Sequence, residues 1–311
     1  MAQYDVELMI KVAELYYLDD IPQKEIAQKL NISRPKVSRI LKSAKENKLI
    51  EIRINYPAPA RSQLEKTFEK KFNLKETIIV RNLDDDKKRI FSEVTMEAAK
   101  YIKRVAKEGD SIGVAWGRTL RAVADIIGIS EKKDIKVVQI IGSLGQSSTS
   151  ANEIVRKMAE SFAGNYFVLP APAIVNSSDI KDAIMKDDTI KNMLQMAREV
   201  NIALVGIGNV DENSSFFRSG YLKHEDLKLL KQSKAVGDVC AHFLDIDGNV
   251  CTDIDDRVIA ISLEDLRKIP RVIGVATGED KVSSIAGALK SGVLDVLITD
   301  EKTAKAVLND Q

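Results

Sequence analysis

The side chains able to do chemistry in this sequence are many cations and few nucleophiles. Residues 31–50 hold six basic side chains (Arg34, Lys36, Arg39, Lys42, Lys45 and Lys48) against a single acid, Glu46. A cluster of that sign suits phosphate-bearing partners. The catalytic inventory is thin: two histidines, His224 and His242, and two cysteines, Cys240 and Cys251. Cys240, His242 and Cys251 lack the fourth ligand of a structural zinc site. "GIGNVD" (206–211) begins like a dinucleotide fingerprint, but it has no third glycine and no clear helical pattern follows. Nucleophile-elbow and P-loop sequences are absent. These residues point to binding without a metal or cofactor, and nothing among them demands catalysis.

The basic cluster lies on a helix whose start the sequence marks. Val37, Ile40, Leu41 and Ala44 recur at helical spacing and define an inward stripe, which puts Ser38, Arg39 and Lys42 on the opposite face. Pro35 would break a helix interior. With Ser33 as N-cap it becomes the second helical residue, where a missing N–H costs nothing. Before it, "PQKEIAQKL" forms a short helix opened by Pro22, with Ile26, Ala27 and Leu30 inward. Asn31, a residue that tolerates left-handed backbone, supplies the bend between the two. Two short helices around a tight turn, the second basic outside, are a helix-turn-helix. Leu8, Met9, Val12, Leu15 and Tyr16 give a supporting helix, and "LIEIRINYP" (49–57) alternates as the strand of a wing. The DNA-contacting candidates are Gln23, Ser33, Arg34, Lys36, Ser38, Arg39 and Lys42.

The whole chain is not a basic coat: 311 residues carry a net charge of +1, with 44% hydrophobic and 30% charged residues. Such a length favours two domains. No apolar run nears the ~18 residues of a membrane span, and the first residues lack a signal-peptide pattern. Two cysteines make no disulfide framework. A cytoplasmic location without membrane contact is expected. "YPAPARS" (56–62) reads as a linker, dividing a DNA-binding domain (1–56) from a second domain (57–311). Just beyond it, Leu64, Phe68 and Phe72 form a helical stripe, for a core or for a subunit interface.

From about residue 77, apolar strands alternate with helical patterns. The strands are "SIGVAWG" (111–117), "VVQIIG" (137–142), "IALVGIG" (202–208), "VIGVATG" (272–278) and "VLITD" (296–300); the helices are 90–107, 151–162, 187–199, 279–290 and 300–308. That alternation predicts a mostly parallel, Rossmann-like α/β sheet covered on both faces. Its ligand would sit at the carboxyl ends of the strands, where Gly, Ser, Thr and Asn are abundant.

The segments "IAQKLNISRPKVSRIL", "GDSIGVAWGRTL", "LPAPAIV", "ALVGIGNV", "FFRSGYL", "AVGDVCAHFLDIDGNV" and "VLITDEKTA" carry a resemblance to the SorC family of sugar-responsive bacterial transcription regulators, within it to the deoxyribonucleoside-regulator branch. The resemblance implies a winged helix joined to an effector domain related to sugar-phosphate isomerases and deaminases. It also implies a homo-oligomer, dimer or tetramer, on operator DNA, controlled by a small sugar that is often phosphorylated. Carried over by motif, Gly117, Arg118 and Thr119 would form a phosphate loop, with Gly142 on the neighbouring strand end and Asn152 at the next helix start. Arg218, Asp238 and Lys281 would add charge and hydrogen bonds, cations for phosphate and a carboxylate for hydroxyls. In that branch the second strand resembles "QLKGG", whose lysine attaches the sugar as a Schiff base. Here it reads "QIIGS", with Ile141 in that place, so non-covalent binding is expected. The expected function is repression of a carbohydrate or nucleoside catabolic operon. The alternatives are a sugar-phosphate isomerase or deaminase with Asp238 as base, and a redox sensor with an NAD domain.

Overall fold

The computed structural model describes residues 4–47, 49–50, 62–81, 84–143 and 151–309. The chain divides into two compact units, Met1–Ala60 and Arg61–Gln311. In the first, three helices follow one another: α1 (Val6–Tyr17), α2 (Gln23–Lys29) and α3 (Arg34–Glu46). Met9, Val12, Ile26, Val37, Ile40 and Ala44 meet in one apolar core, so each helix buries the stripe its sequence shows. Asn31 takes the left-handed conformation, φ 52°, at the bend between α2 and α3. Ser33 stands at the cap of α3 with extended backbone, its carbonyl accepting the Val37 N–H at 3.1 Å, while its hydroxyl makes no capping bond. Pro35 is the second residue of α3. Pro22 sits one place earlier than a first-turn proline, at the cap of α2. Lys48 lies outside the described residues, and so do the expected wing strand (49–57) and linker (56–62), save positions 49, 50 and 62.

The second unit begins with α4 (Gln63–Phe72), β1 (Glu76–Val80), α5 (Lys87–Val105), β2 (Ser111–Val114), α6 (Arg118–Ile126) and β3 (Lys136–Gln139). It continues through α7 (Ala151–Ser161), β4 (Tyr166–Phe167), α8 (Ser178–Met185), α9 (Asp188–Arg198), β5 (Ile202–Gly206), β6 (Gly208–Asn209), α10 (Ser215–Arg218) and α11 (His224–Gln232). The last elements are β7 (Gly237–Val239), β8 (His242–Leu244), α12 (Leu263–Lys268), β9 (Val272–Val275), α13 (Val282–Lys290), β10 (Val296–Asp300) and α14 (Glu301–Asn309). The helix expected over 279–290 is in two parts, because Gly278 (φ 114°) starts a 3-10 turn, Glu279–Lys281, before α13.

Seven strands form one sheet in the order β1-β10-β9-β5-β2-β3-β4, and every neighbouring pair is parallel. β9 and β10 are buried along their whole length, which is why β9 and the first half of β10 read as apolar runs; the buried end of β10 is Thr299 and Asp300. The chain leaves β2 towards β3 on one side and leaves β5 towards β9 on the other. That reversal opens a crevice at the carboxyl ends of β2 and β5. A small antiparallel sheet, β6-β7-β8, lies in the connection from β5 to β9. Its β7–β8 hairpin turns on Cys240 and Ala241, both left-handed (φ 52° and 65°), the type I′ geometry of a two-residue loop.

α4 packs its stripe on the core of this unit: Phe68 is buried, and Leu64 and Phe72 pack beside it. It also closes the β1 sheet edge. Glu69 accepts the N–H of Thr77 and Glu65 that of Ile79, each at 3.0 Å, groups that an edge strand would otherwise leave exposed for pairing. Replacing Glu69 by Ala should strand the buried Thr77 N–H and destabilise the fold by about 1–3 kcal/mol. Glu69→Gln keeps an acceptor and should stay within about 0.5 kcal/mol of the parent in urea unfolding.

Candidate functional site

In the first unit, burial of Val37, Ile40, Leu41 and Ala44 turns the other side of α3 to solvent. Ser33, Arg34, Ser38, Arg39 and Lys42 are exposed on it, and Lys36 and Gln23 are half-buried. Arg39 Nε donates to the Pro35 carbonyl at 3.3 Å, so this guanidinium lies back along the helix start. Six of the seven candidates therefore lie on α3 or at its cap, with cations spaced along a solvent face, and Gln23 opens α2.

In the second unit, a cavity of about 230 Å³ opens at the carboxyl ends of β2 and β5. Gly117, φ 134°, ends the β2 segment and caps α6 without a side chain. The first-turn N–H groups of α6, on Arg118, Thr119 and Leu120, have no acceptor within the helix, and all three residues line the cavity. The positive end of the helix dipole adds to the Arg118 charge there. From the other side, the 3-10 turn brings Lys281 in, its Nζ donating to the Ile207 carbonyl at 2.9 Å. Asp238, from β7, forms part of the wall and accepts the Ala241 N–H at 3.1 Å. A side chain at Gly208 would place its Cβ 1.8 Å from Asp238 Oδ1, so only glycine admits this carboxylate. Ile141 lines the same cavity and is buried.

Burial works against both charges. Desolvation pushes Asp238 up to about 6, although Lys281, the Ala241 N–H and His242 pull it down. Desolvation likewise lowers the Lys281 pKa, against the attraction of Asp238 and Asp280. Burial also raises the Cys240 thiol well above its ordinary value. That cysteine is an inert wall residue rather than a nucleophile. His242 is fully engaged: Nδ1 meets Asp255 Oδ1 at 2.5 Å and Nε2 meets the Ile261 carbonyl at 2.9 Å. Among the described residues no group of three His, Cys, Asp or Glu side chains could hold a metal ion.

Five of the eight expected effector residues line the cavity: Gly117, Arg118, Thr119, Asp238 and Lys281. Gly142 stands behind it, its carbonyl accepting the Trp116 indole N–H at 2.9 Å. Asn152, exposed at the start of α7, faces the Ser143 hydroxyl at 3.3 Å and is not in the lining. Arg218 is exposed at the end of α10 and also lies outside the lining. Its place is taken by Phe216, two residues or about 200° away around the helix, which packs its ring on Trp116 at 4.7 Å. Asn209, Asp211 and Asp280 also line the cavity, and the sequence reading missed them. Their signal was present in "GIGNVD" and "GEDK", polar residues following strand ends, but it was not specific.

Residues 56–309 match the family described as "Putative sugar-binding domain", and residues 11–47 match "Sigma-70, region 4", a helix-turn-helix. The "Deoxyribonucleoside regulator" of Bacillus subtilis (strain 168) is 39% identical over 98% of each chain. The "Sorbitol operon regulator" of Klebsiella pneumoniae is 30% identical, again over 98% of each. The crystal structure of the full-length sorbitol operon regulator SorC from that species superposes with a TM-score of 0.78 at 29% identity, covering 98% of this chain and 99% of that one. Fold and relatives together define a class, the transcription regulators that join a helix-turn-helix to an α/β sugar-binding domain, which are not enzymes. The chain belongs to this sugar-binding family of SorC-type regulators. No helix among the described residues is long and apolar enough to cross a membrane.

The raised Asp238 pKa fixes a sign for pH. A carboxyl that titrates near 6 when folded and at its ordinary 3.8 when unfolded takes up a proton on folding. Its contribution to stability is full below pH 3.8 and is lost as pH rises to about 6. Urea midpoints at pH 4, 5 and 6.5 should fall less steeply with pH in Asp238→Asn than in the parent; parallel profiles would place the carboxyl in water.

Proposed function

We propose that the protein is a repressor of a carbohydrate or nucleoside catabolic operon, acting in the cytoplasm. Its operator affinity is set by reversible, non-covalent binding of a phosphorylated sugar. In this reading residues 1–56 bind DNA and residues 57–311 bind the effector and join copies of the chain into a dimer or tetramer. The observation that carries it is the meeting, in one cavity, of a helix N-terminus with Arg118, an inward Lys281 and a buried Asp238. The first three suit a phosphate dianion and the last a pair of sugar hydroxyls. The names of the relatives, a deoxyribonucleoside regulator and a sorbitol operon regulator, support a sugar or nucleoside operon.

Gly117 and Thr119 would give backbone and hydroxyl donors to the phosphate. Gly142 and Asn152 would act from behind by holding the neighbouring strand end. Arg218, outside the lining, would meet the ligand only after α10 moves. Operator binding by a two-fold dimer needs recognition helices about 34 Å apart, so an effector that favours one oligomer geometry changes affinity.

The DNA half of the reading predicts that Arg39→Ala loses about 1–3 kcal/mol if the side chain reads a base, and less, with a shallower salt dependence, if it meets phosphate. An Arg34/Lys36/Arg39 triple alanine variant with parent operator affinity would contradict it. For the effector half, pentose and hexose phosphates are screened by thermal shift and the hits are treated with borohydride. At 100 times its dissociation constant a ligand stabilises by about 2.7 kcal/mol. A clear shift with no mass adduct is expected, because Ile141 offers no amine and a phosphate beside Lys281 would hold that amine protonated and unreactive. A stoichiometric adduct on a cavity lysine would overturn non-covalent binding, and no shift with any sugar phosphate would overturn the effector class.

A further inference from the structure

The motif "VLITDEKTA" (296–304) lies outside the cavity lining, yet it holds the segment that enters it. Asp300 ends β10 and Thr303 lies in the first turn of α14; both are almost fully buried. Asp300 Oδ1 accepts the Thr303 N–H at 3.0 Å, an ordinary helix cap. Its other oxygen does something a cap does not require. Oδ2 accepts the hydroxyls of Thr277 and Thr303, each at 2.5 Å. The Thr303 hydroxyl, whose O–H donates to Asp300, accepts the Gly278 N–H at 2.9 Å. One hydroxyl, on Thr303, thereby ties the Asp300 carboxylate to the backbone N–H of Gly278, 25 residues before it in the chain.

Gly278 is the hinge of that segment. Its φ of 114° suits glycine alone, and its carbonyl accepts the Lys281 N–H at 2.9 Å to close the 3-10 turn. At the end of this single turn Lys281 reaches the Ile207 carbonyl, while Asp280 accepts from the Asn209 amide at 3.2 Å. The direction in which Lys281 points is therefore fixed by where Gly278 is held.

We propose that Asp300 and Thr303 are positioning residues for the effector site, anchoring the Thr277–Gly278 turn so that the Lys281 amine is delivered into the cavity. The proposal rests on the reading of that cavity as the effector site. Its first readout needs no ligand: trace acetylation of the full chain with acetic anhydride, followed at Lys281 by peptide mass spectrometry. Thr303→Val, close in shape but unable to donate or accept, should raise the Lys281 labelling rate about tenfold and leave the other lysines unchanged, the size expected when one well-formed hydrogen bond is lost. It should weaken binding of the pentose or hexose phosphate that gives the parent its largest thermal shift by a similar factor, at unchanged operator affinity. Thr303→Ser, which keeps the hydroxyl, should restore both.

Lys281 labelling at the parent rate in folded Thr303→Val overturns the proposal. So does a uniform rise across all lysines, which marks general loosening. If Thr303→Val does not fold, Thr277→Val, which removes a single donor to Asp300, is judged by the same criteria. Absence of parent binding to any sugar phosphate would count against the effector reading, and the labelling result would still decide the positioning role.

Discussion

Two opposite charges on the wall of one cavity, Asp238 buried and Lys281 half-buried, set the terms for the rest of the site. Asp238 and Lys281 each resist burial, and each eases the burial of the other. Such a pair persists only where further hydrogen bonds complete it. The Ala241 N–H and the Ile207 carbonyl supply them, so the β7–β8 hairpin and the end of β5 must stand where they do. The same demand explains why the hairpin bends through two left-handed non-glycine residues, and why position 208 carries no side chain.

In the proposed reading the same arrangement would take a ligand with both an anionic end and a hydroxylated one. Arg118 and the first turn of α6 give positive potential at one side, and the buried carboxylate gives an acceptor at the other. An anion bound beside Lys281 would favour its charged form, which burial alone disfavours. Occupancy and protonation at this site would then be linked.

Much of this was legible in the sequence, for physical reasons that differ by element. The α2–α3 turn could be read because Asn31, Ser33 and Pro35 each have few conformational options, and only a helix starting at Arg34 satisfies all three. The parallel strands could be read because burial on both faces leaves unbroken apolar runs. The β6-β7-β8 sheet escaped because its strands are two or three residues long, too short for any period. Arg218 was carried over from the motif "FFRSGYL", while the inward residue of α10 is the apolar Phe216. The Thr303–Gly278 contact joins distant segments through one hydroxyl and leaves no pattern at all.

A regulator needs more than an occupied cavity: the effector must bind two states of the protein unequally. The most direct test is fluorescence anisotropy of labelled operator DNA, titrated with full-length protein without and with a sugar phosphate at a concentration that saturates the cavity by calorimetry. The operator dissociation constant should rise by about fivefold or more, the lower end of ordinary coupling energies. Superimposable isotherms with the cavity filled would contradict it.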